Sequence, residues 1–335
     1  MIKTEIIGTG VYVPGTPIDN TQLKKLADID FDHEKLENKL GIYKRHIAHL
    51  QNINETTADF ATKAALKAIE NAGINAEDVD LFIVGTDTPE FITPATAILV
   101  QGRIQKKETW ASSFDIAASC ASFTIAYDNA VKIMHADTSI KYAVVIGVYN
   151  MPAFLRKNDA FGYSIFADGA AAVVIGKSAN AKSEYLAGQL LTDGTQWDYI
   201  GIYAGGSRNQ VTHQTLNDNK NGLLNLQPLP GDRNVRLWPM VVEKLLEKAG
   251  KNISEVNHFI FTQINKSVIL KVLDCLQVPV EKSTFIMDKY GYTGSACVPM
   301  AFHEAISSGA IKKGDTILFV ASGAGLAVGS NLFTY

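Results

Sequence analysis

Two distant stretches of the chain carry the same alternation of apolar and polar positions. From Lys67 to Thr86 the sequence reads KAIENAGINAEDVDLFIVGT, and from Lys244 to Gln263 it reads KLLEKAGKNISEVNHFIFTQ. Placed side by side without a gap, they share Lys67/Lys244, Glu70/Glu247, Ala72/Ala249, Gly73/Gly250, Asn75/Asn252, Val79/Val256, Phe82/Phe259 and Ile83/Ile260. Each predicts an amphipathic helix closed by a glycine suited to the left-handed cap. A short Asn/Glu loop and a β-rich strand follow in both. A second pair repeats the correspondence. Ala121–Met134 is apolar nearly all round, as a buried helix is, and leads to the strand Tyr142–Gly147. Cys297–Ser308 is a helix-like segment leading to the strand Thr316–Val320, with Ala126/Ala301 and Ala130/Ala305 in register. Two matches in the same order predict a duplicated unit, with halves at 1–178 and 179–335. Strands alternating with helices predict an α/β fold. The stretch Thr192–Asn234, rich in Gly, Asn, Gln and Pro, reads as a long excursion over the second half. Loops of that length are usually functional or mobile.

Composition narrows the class. At 335 residues, 47% of them hydrophobic, the chain has material for two structural units around a large core. A formal net charge of −3 excludes the clustered positive charge of a nucleic-acid footprint. The 7 histidines are scattered, without ligand spacing, so no metal site is expected. Cysteines at 120, 275 and 297 offer no disulfide framework, which fits a reducing compartment. The N-terminus lacks the apolar run of a signal peptide, and no stretch of about 18 apolar residues exists to span a bilayer. A soluble, cytoplasmic protein is expected.

Candidate chemistry centres on Phe114–Phe123, FDIAASCASF. It reads as a short strand, a cluster of small residues, then the buried helix. Cys120 falls at the strand-to-helix turn, where the helix dipole and free N–H groups favour thiolate. The small neighbours Ala117, Ala118, Ser119 and Ala121 leave room for a substrate to reach the sulfur. A thiolate is a good acyl acceptor, exchanging with another thioester at little cost in bond energy. On the residues alone, a buried structural cysteine is the competing reading.

FDIAASCASF closely resembles the nucleophile motif of the β-ketoacyl-acyl-carrier-protein synthase III family. The likeness extends through Ile7–Pro14 (IGTGVYVP), Gly41–Ala48 (GIYKRHIA), Phe166–Gly176 (FADGAAAVVIG), Asp193–Gly206 and Ala321–Phe333 (ASGAGLAVGSNLF), almost the whole chain. The resemblance implies a thiolase-like five-layered αβαβα fold built from two duplicated halves. It makes Cys120 the acyl-accepting nucleophile. It also implies an oxyanion hole of two backbone N–H groups, one from Cys120 and one from the Gly323–Gly325 turn at Ala324. The acyl group would arrive on acyl-carrier protein or coenzyme A as substrate, without a bound cofactor. A homodimer, or a heterodimer with a homologue, is expected.

The pattern also breaks. Where the family has His-Gln-Ala-Asn this chain has Thr262-Gln263-Ile264-Asn265, and where it has Gly-Asn-Thr this chain has Gly291-Tyr292-Thr293. The histidine and asparagine positions are therefore Thr262 and Tyr292. In the family that pair stabilises the enolate left when a malonyl thioester loses carbon dioxide. Both replacements keep a hydroxyl able to donate one hydrogen bond, yet neither is a base at neutral pH. His258 reads as a surface residue and His303 as a helix residue, so neither substitutes. Lys35 and Ala160 fall where the family grips the adenine of coenzyme A, Thr93 where an aromatic limits the acyl tunnel, and Ser267 where an arginine docks the carrier. The expected function is an acyl-thioester condensing enzyme of fatty acid or polyketide-type biosynthesis, whose second thioester is an already activated β-keto species if decarboxylation fails. The alternatives are transfer to an amine, alcohol or thiol without a carbon–carbon bond, and a non-catalytic partner of an active homologue.

Overall fold

A computed structural model describes residues 3–178 and 183–335. The first sheet is made of β1 (Lys3–Tyr12), β2 (Leu81–Gly85), β3 (Ser112–Ile116), β4 (Tyr142–Tyr149) and β5 (Gly169–Ser178), in the order β1-β5-β4-β2-β3. The second holds β6 (Glu184–Gln196), β7 (His258–Phe261), β8 (Thr316–Gly323) and β9 (Gly325–Thr334), in the order β7-β8-β9-β6. Both sheets follow one plan. In the first, β1/β5 and β5/β4 are antiparallel while β4/β2 and β2/β3 are parallel. In the second, β6/β9 and β9/β8 are antiparallel and β8/β7 is parallel. Where the first sheet has β3, the second has only a parallel bridge from Phe259 to Ser283.

Six helices cover and separate these sheets: α1 (Thr57–Ala72), α2 (Thr96–Gln105), α3 (Ser122–Ala136), α4 (Arg233–Ala249), α5 (Lys266–Cys275) and α6 (Cys297–Ser307). Helix α1 packs on β1, β5 and β4, and α4 occupies the corresponding place on β6, β8 and β9. Between the sheets lie α3 and α6. Helix α3 touches β2 and β4 on one side and β8 and β9 on the other, while α6 touches β1 and β5, then β7 and β8. The layers therefore run α-β-α-β-α. Phe302 of α6, Phe319 of β8 and Phe333 of β9 meet in the centre, with the Phe319 and Phe333 rings 4.9 Å apart.

Local chemistry explains the paired elements. Gly73 (φ 67°) and Gly250 (φ 62°) both end their helices in the left-handed region, each donating its N–H to the carbonyl of the matched glutamate, Glu70 or Glu247. Any side chain there would meet its own backbone, which is why the repeat carries glycine. The excursion is more ordered than composition implies. Strand β6 runs through Gln196, Ile200–Gly201 pairs with Leu224–Asn225, a short helix spans His213–Asn217, and α4 already begins at Arg233. The expected junction at 178/179 abuts residues 179–182, outside the described residues. Among the described residues no helix is long and apolar enough to cross a membrane.

Candidate active site

Cys120 stands where β3 hands over to α3. After Ile116 the chain turns sharply, with Ser119 held at φ 51°, a conformation uncommon for a residue with a side chain. Ser122 stitches the turn: its Oγ donates to the Ser119 carbonyl at 2.6 Å and accepts from the Ala118 N–H at 2.9 Å. Two glycines let neighbouring strands close on it. A Cβ at Gly85, the last residue of β2, would lie 2.8 Å from the Phe123 nitrogen. A Cβ at Gly323, the last of β8, would lie 2.5 Å from the Ala118 carbonyl oxygen and 2.8 Å from the Cys120 nitrogen. Contacts that short are not tolerated, so the backbone of the β8–β9 turn touches the nucleophile turn only because that side chain is missing.

A cavity of about 580 Å³ opens at the sulfur. Leu40, Met151, Phe161, Ile165, Ile200 and Ile202 give it a mostly apolar wall, which suits an acyl chain. Cys120, Tyr292 and the Gly323-Ala324-Gly325 turn all line it. Tyr292 is fixed by its backbone, which donates to the Ile165 carbonyl and accepts from the Ala167 N–H, both at 3.0 Å. Its ring sits 5.9 Å from Phe166 and 6.2 Å from Tyr149. Thr262 does not line the cavity. It is buried past the end of β7, its N–H donating to the Val320 carbonyl and its Oγ1 accepting from the Ser322 N–H at 2.9 Å. Three of the four expected site residues thus share one wall, while the fourth ties β7 to β8.

The electrostatics correct one expectation. The turn before α3 favours thiolate, but enclosure pushes the Cys120 thiol well above its ordinary range, and the nearby Asp87 adds to the rise. Hydrogen bonds from Tyr292 and Ser119 to the sulfur act the other way without cancelling it. Burial thus opposes ionisation of the sulfur. His258 is also corrected: it is buried, not on the surface, with its Nε2 2.8 Å from Thr284 Oγ1, and burial lowers it to about 4. His303 lies in α6 as expected, its Nδ1 2.8 Å from Thr9 Oγ1.

Two charged cavity residues escaped the sequence reading. Asp87 follows β2 by two residues and accepts a hydrogen bond from Ser119 Oγ at 2.8 Å. Arg233, the first residue of α4, is buried at the cavity wall with Nη1 3.2 Å from Gln196 Oε1. A signal for Asp87 existed, since ligands of open α/β sheets bind beyond the carboxyl ends of parallel strands. Among the described residues no cluster of three His, Cys, Asp or Glu side chains could hold a metal ion.

Paired sheets around two central helices, with a cysteine at the start of one helix facing an apolar cavity, define the thiolase-like class of α/β proteins. Comparison with known proteins narrows this. The family description "3-Oxoacyl-[acyl-carrier-protein (ACP)] synthase III" matches residues 114–194, and its C-terminal counterpart matches residues 246–335. The chain is 35% identical over 333 residues to the β-ketoacyl-[acyl-carrier-protein] synthase III of Aquifex aeolicus, covering 99% of each. The crystal structure of the 3-oxoacyl-[acyl-carrier-protein] synthase III from Aquifex aeolicus superposes with a TM-score of 0.85 at 34% identity, over 99% of this chain and 100% of that one. A priming β-ketosynthase from a polyketide biosynthetic pathway superposes with a TM-score of 0.86 at 25% identity, over 99% and 96%. The chain belongs to the 3-oxoacyl-[acyl-carrier-protein] synthase III family.

Proposed function

We propose that this protein is a condensing acyltransferase of fatty acid or polyketide-type biosynthesis. Cys120 takes an acyl group from a thioester of acyl-carrier protein or coenzyme A and passes it to the carbon of a second thioester. The observation that carries this reading is the Cys120 thiol facing an apolar cavity beside the Gly323–Gly325 turn. The N–H groups of Cys120 and Ala324 receive the oxyanion as the acyl carbonyl is attacked. Tyr292 donates its hydroxyl to the sulfur as charge develops there, and Thr262 holds the β7–β8 wall in place. With Thr262 and Tyr292 at the positions of the family's histidine and asparagine, the second thioester is a β-keto species. The halves 1–178 and 179–335 act as one unit, and the working molecule is a dimer in the cytoplasm.

Intact-protein mass spectrometry after incubation with a panel of acyl thioesters tests the reading. One acyl mass is expected, mapping to Cys120 and absent from Cys120→Ala. Cys275 is exposed but remote from the cavity, and Cys297 is buried, so neither should carry label. Label persisting in Cys120→Ala overturns the proposal. One observation favours a second reading, transfer to an amine, alcohol or thiol: the Thr262 hydroxyl already accepts a backbone hydrogen bond and lies off the cavity wall. Product analysis separates the two, a β-ketone against an ester, amide or thioester.

A further inference from the structure

Asp87 has no task in the acyl transfer described so far, and its surroundings are costly for a carboxyl group. Its Oδ2 accepts from Ser119 Oγ at 2.8 Å, and the Ser119 Oγ in turn lies 3.9 Å from Cys120 Sγ. Its Oδ1 is enclosed with no partner among the described residues, and none of the described ion pairs includes Asp87. An acid with half its acceptor capacity unmet costs stability that a threonine or asparagine would avoid. Ser119, in its left-handed conformation, is held so that one hydroxyl bridges acid and sulfur. Backbone held in so sparse a region persists only where its surroundings impose it, and it clusters at active sites.

We infer that Asp87 is the acid–base residue of carbon–carbon bond formation, taking the α-proton of a β-keto thioester acceptor and returning a proton through Ser119 to Cys120. The inference rests on the acyl-Cys120 reading and deepens it. The Asp87 carboxylate removes a proton from the carbon between the acceptor's two carbonyls, and the C–H electron pair becomes an enolate. The enolate carbon attacks the Cys120 thioester carbonyl, and the tetrahedral oxyanion collapses with cleavage of the carbon–sulfur bond. The electron pair leaves on Cys120 sulfur. Ser119 gives its hydroxyl proton to that sulfur and receives one from Asp87, restoring thiol and carboxylate with nothing oxidised or reduced.

The acid–base balance fits that direction. Burial raises Asp87 above the ordinary carboxylate range, which makes it a stronger base toward carbon. A thiol is ordinarily a weaker acid than a carboxyl group, and burial raises Cys120 as well, so the departing sulfur takes the proton back. The other ionisable groups facing the pair are Tyr149, Tyr292 and Cys297, all kept neutral by burial, and Arg233. Arg233 is the cation available to the enolate. A malonyl acceptor would need no base, since losing carbon dioxide generates its carbanion directly. Asp87 therefore points to an acceptor that enters with its α-proton in place.

The test separates the two halves of the reaction. Wild type, Asp87→Asn and Asp87→Glu are acylated first, the adduct on Cys120 is confirmed by intact mass, and a β-ketoacyl-pantetheine thioester is then added. Asp87→Asn should form the adduct but pass it to carbon more slowly by roughly 100-fold or more, the usual worth of an acid–base group. Return of the acyl group to a free pantetheine thiol, which breaks no C–H bond, should slow far less. Asp87→Glu should recover part of the carbon transfer, and an α-deuterated acceptor should slow the wild type. The inference is overturned if acylated Asp87→Asn condenses near the wild-type rate, if both transfers fall equally, or if acylated wild type ignores the acceptor. A wild type that never forms the adduct instead refutes the acyl-Cys120 reading itself.

Discussion

At Cys120 two influences act on one sulfur. The start of α3 favours a thiolate, while enclosure and the neighbouring carboxyl group penalise it. Alkylation by iodoacetamide should reveal the balance, because only the thiolate reacts. The rate should keep climbing with pH beyond the range where a free cysteine levels off. Tyr292→Phe, which removes a hydrogen bond to the sulfur, should react more slowly at a given pH, and a faster reaction would show that Tyr292 does not support the thiolate. His258 gives a separate signature. Its folded value of about 4 lies below the unfolded 6.5, so the neutral ring stabilises the fold at pH above 6.5 and that contribution is lost as pH falls toward 4. The difference is worth about 3 kcal/mol. Denaturant midpoints of wild type should fall over that window, whereas His258→Gln should show a flatter profile. The missing histidine and asparagine carry a third expectation. Release of labelled carbon dioxide from malonyl-carrier protein should fall well below that of an ordinary family member, by roughly 10²–10³ for each lost donor and less than the product for both. Thr262→His alone should recover little, while the double change with Tyr292→Asn should recover more. An ordinary decarboxylation rate in wild type would sink that expectation.

Among the elements, the glycines that end β2 and β8 bring three segments to one point. Gly323→Ala forces a methyl group against the Ala118 carbonyl and the Cys120 nitrogen, so either the nucleophile turn or the β8–β9 turn must move. Overpacking of this kind costs about 1–3 kcal/mol. The displaced backbone should also cost acylation rate, since the proposed oxyanion donors flank it. Gly102→Ala is the matched control. It lies on the exposed face of α2 with nothing within 4 Å of a new Cβ, and should gain about 0.5–1 kcal/mol through helix propensity. Thermal melts of the two variants should move in opposite directions. Much at this scale was legible in the sequence. The paired Gly73 and Gly250 caps, the buried α3 and the strands β4 and β8 follow from periodicity and from the residues a cap demands. Boundaries shifted by a residue or a few: β8 continues past Val320 to Gly323, and α4 begins inside the stretch read as excursion. Strand pairing and helix packing extend elements beyond what local pattern shows.

For the whole molecule, the edge of the first sheet bears on assembly. Among the described residues β3 pairs only with β2; Trp110, two residues before it, is fully exposed, and Ile92, in the loop before α2, is 85% exposed. An unpaired edge beside large exposed apolar groups invites a second copy. With the dimer proposed above, light scattering at low micromolar concentration should give twice the chain mass, and Trp110→Lys with Ile92→Asp should lower it. Obligate interfaces commonly bury more than about 2,000 Å², so a stable wild-type monomer would count against the proposal. By itself the sequence determined what repeats and what is local: the duplicated helix–strand units, the αβαβα class through its family likeness, and Cys120 at a helix start. Those features lie in spacing and residue type over short windows. Only the tertiary structure decided how the cavity residues combine. It set Tyr292 against the sulfur, took Thr262 off the wall, and brought Asp87 and Arg233, far apart in the chain, to the same space. It also set burial against ionisation of Cys120, because desolvation depends on everything packed around an atom and not on its neighbours in sequence.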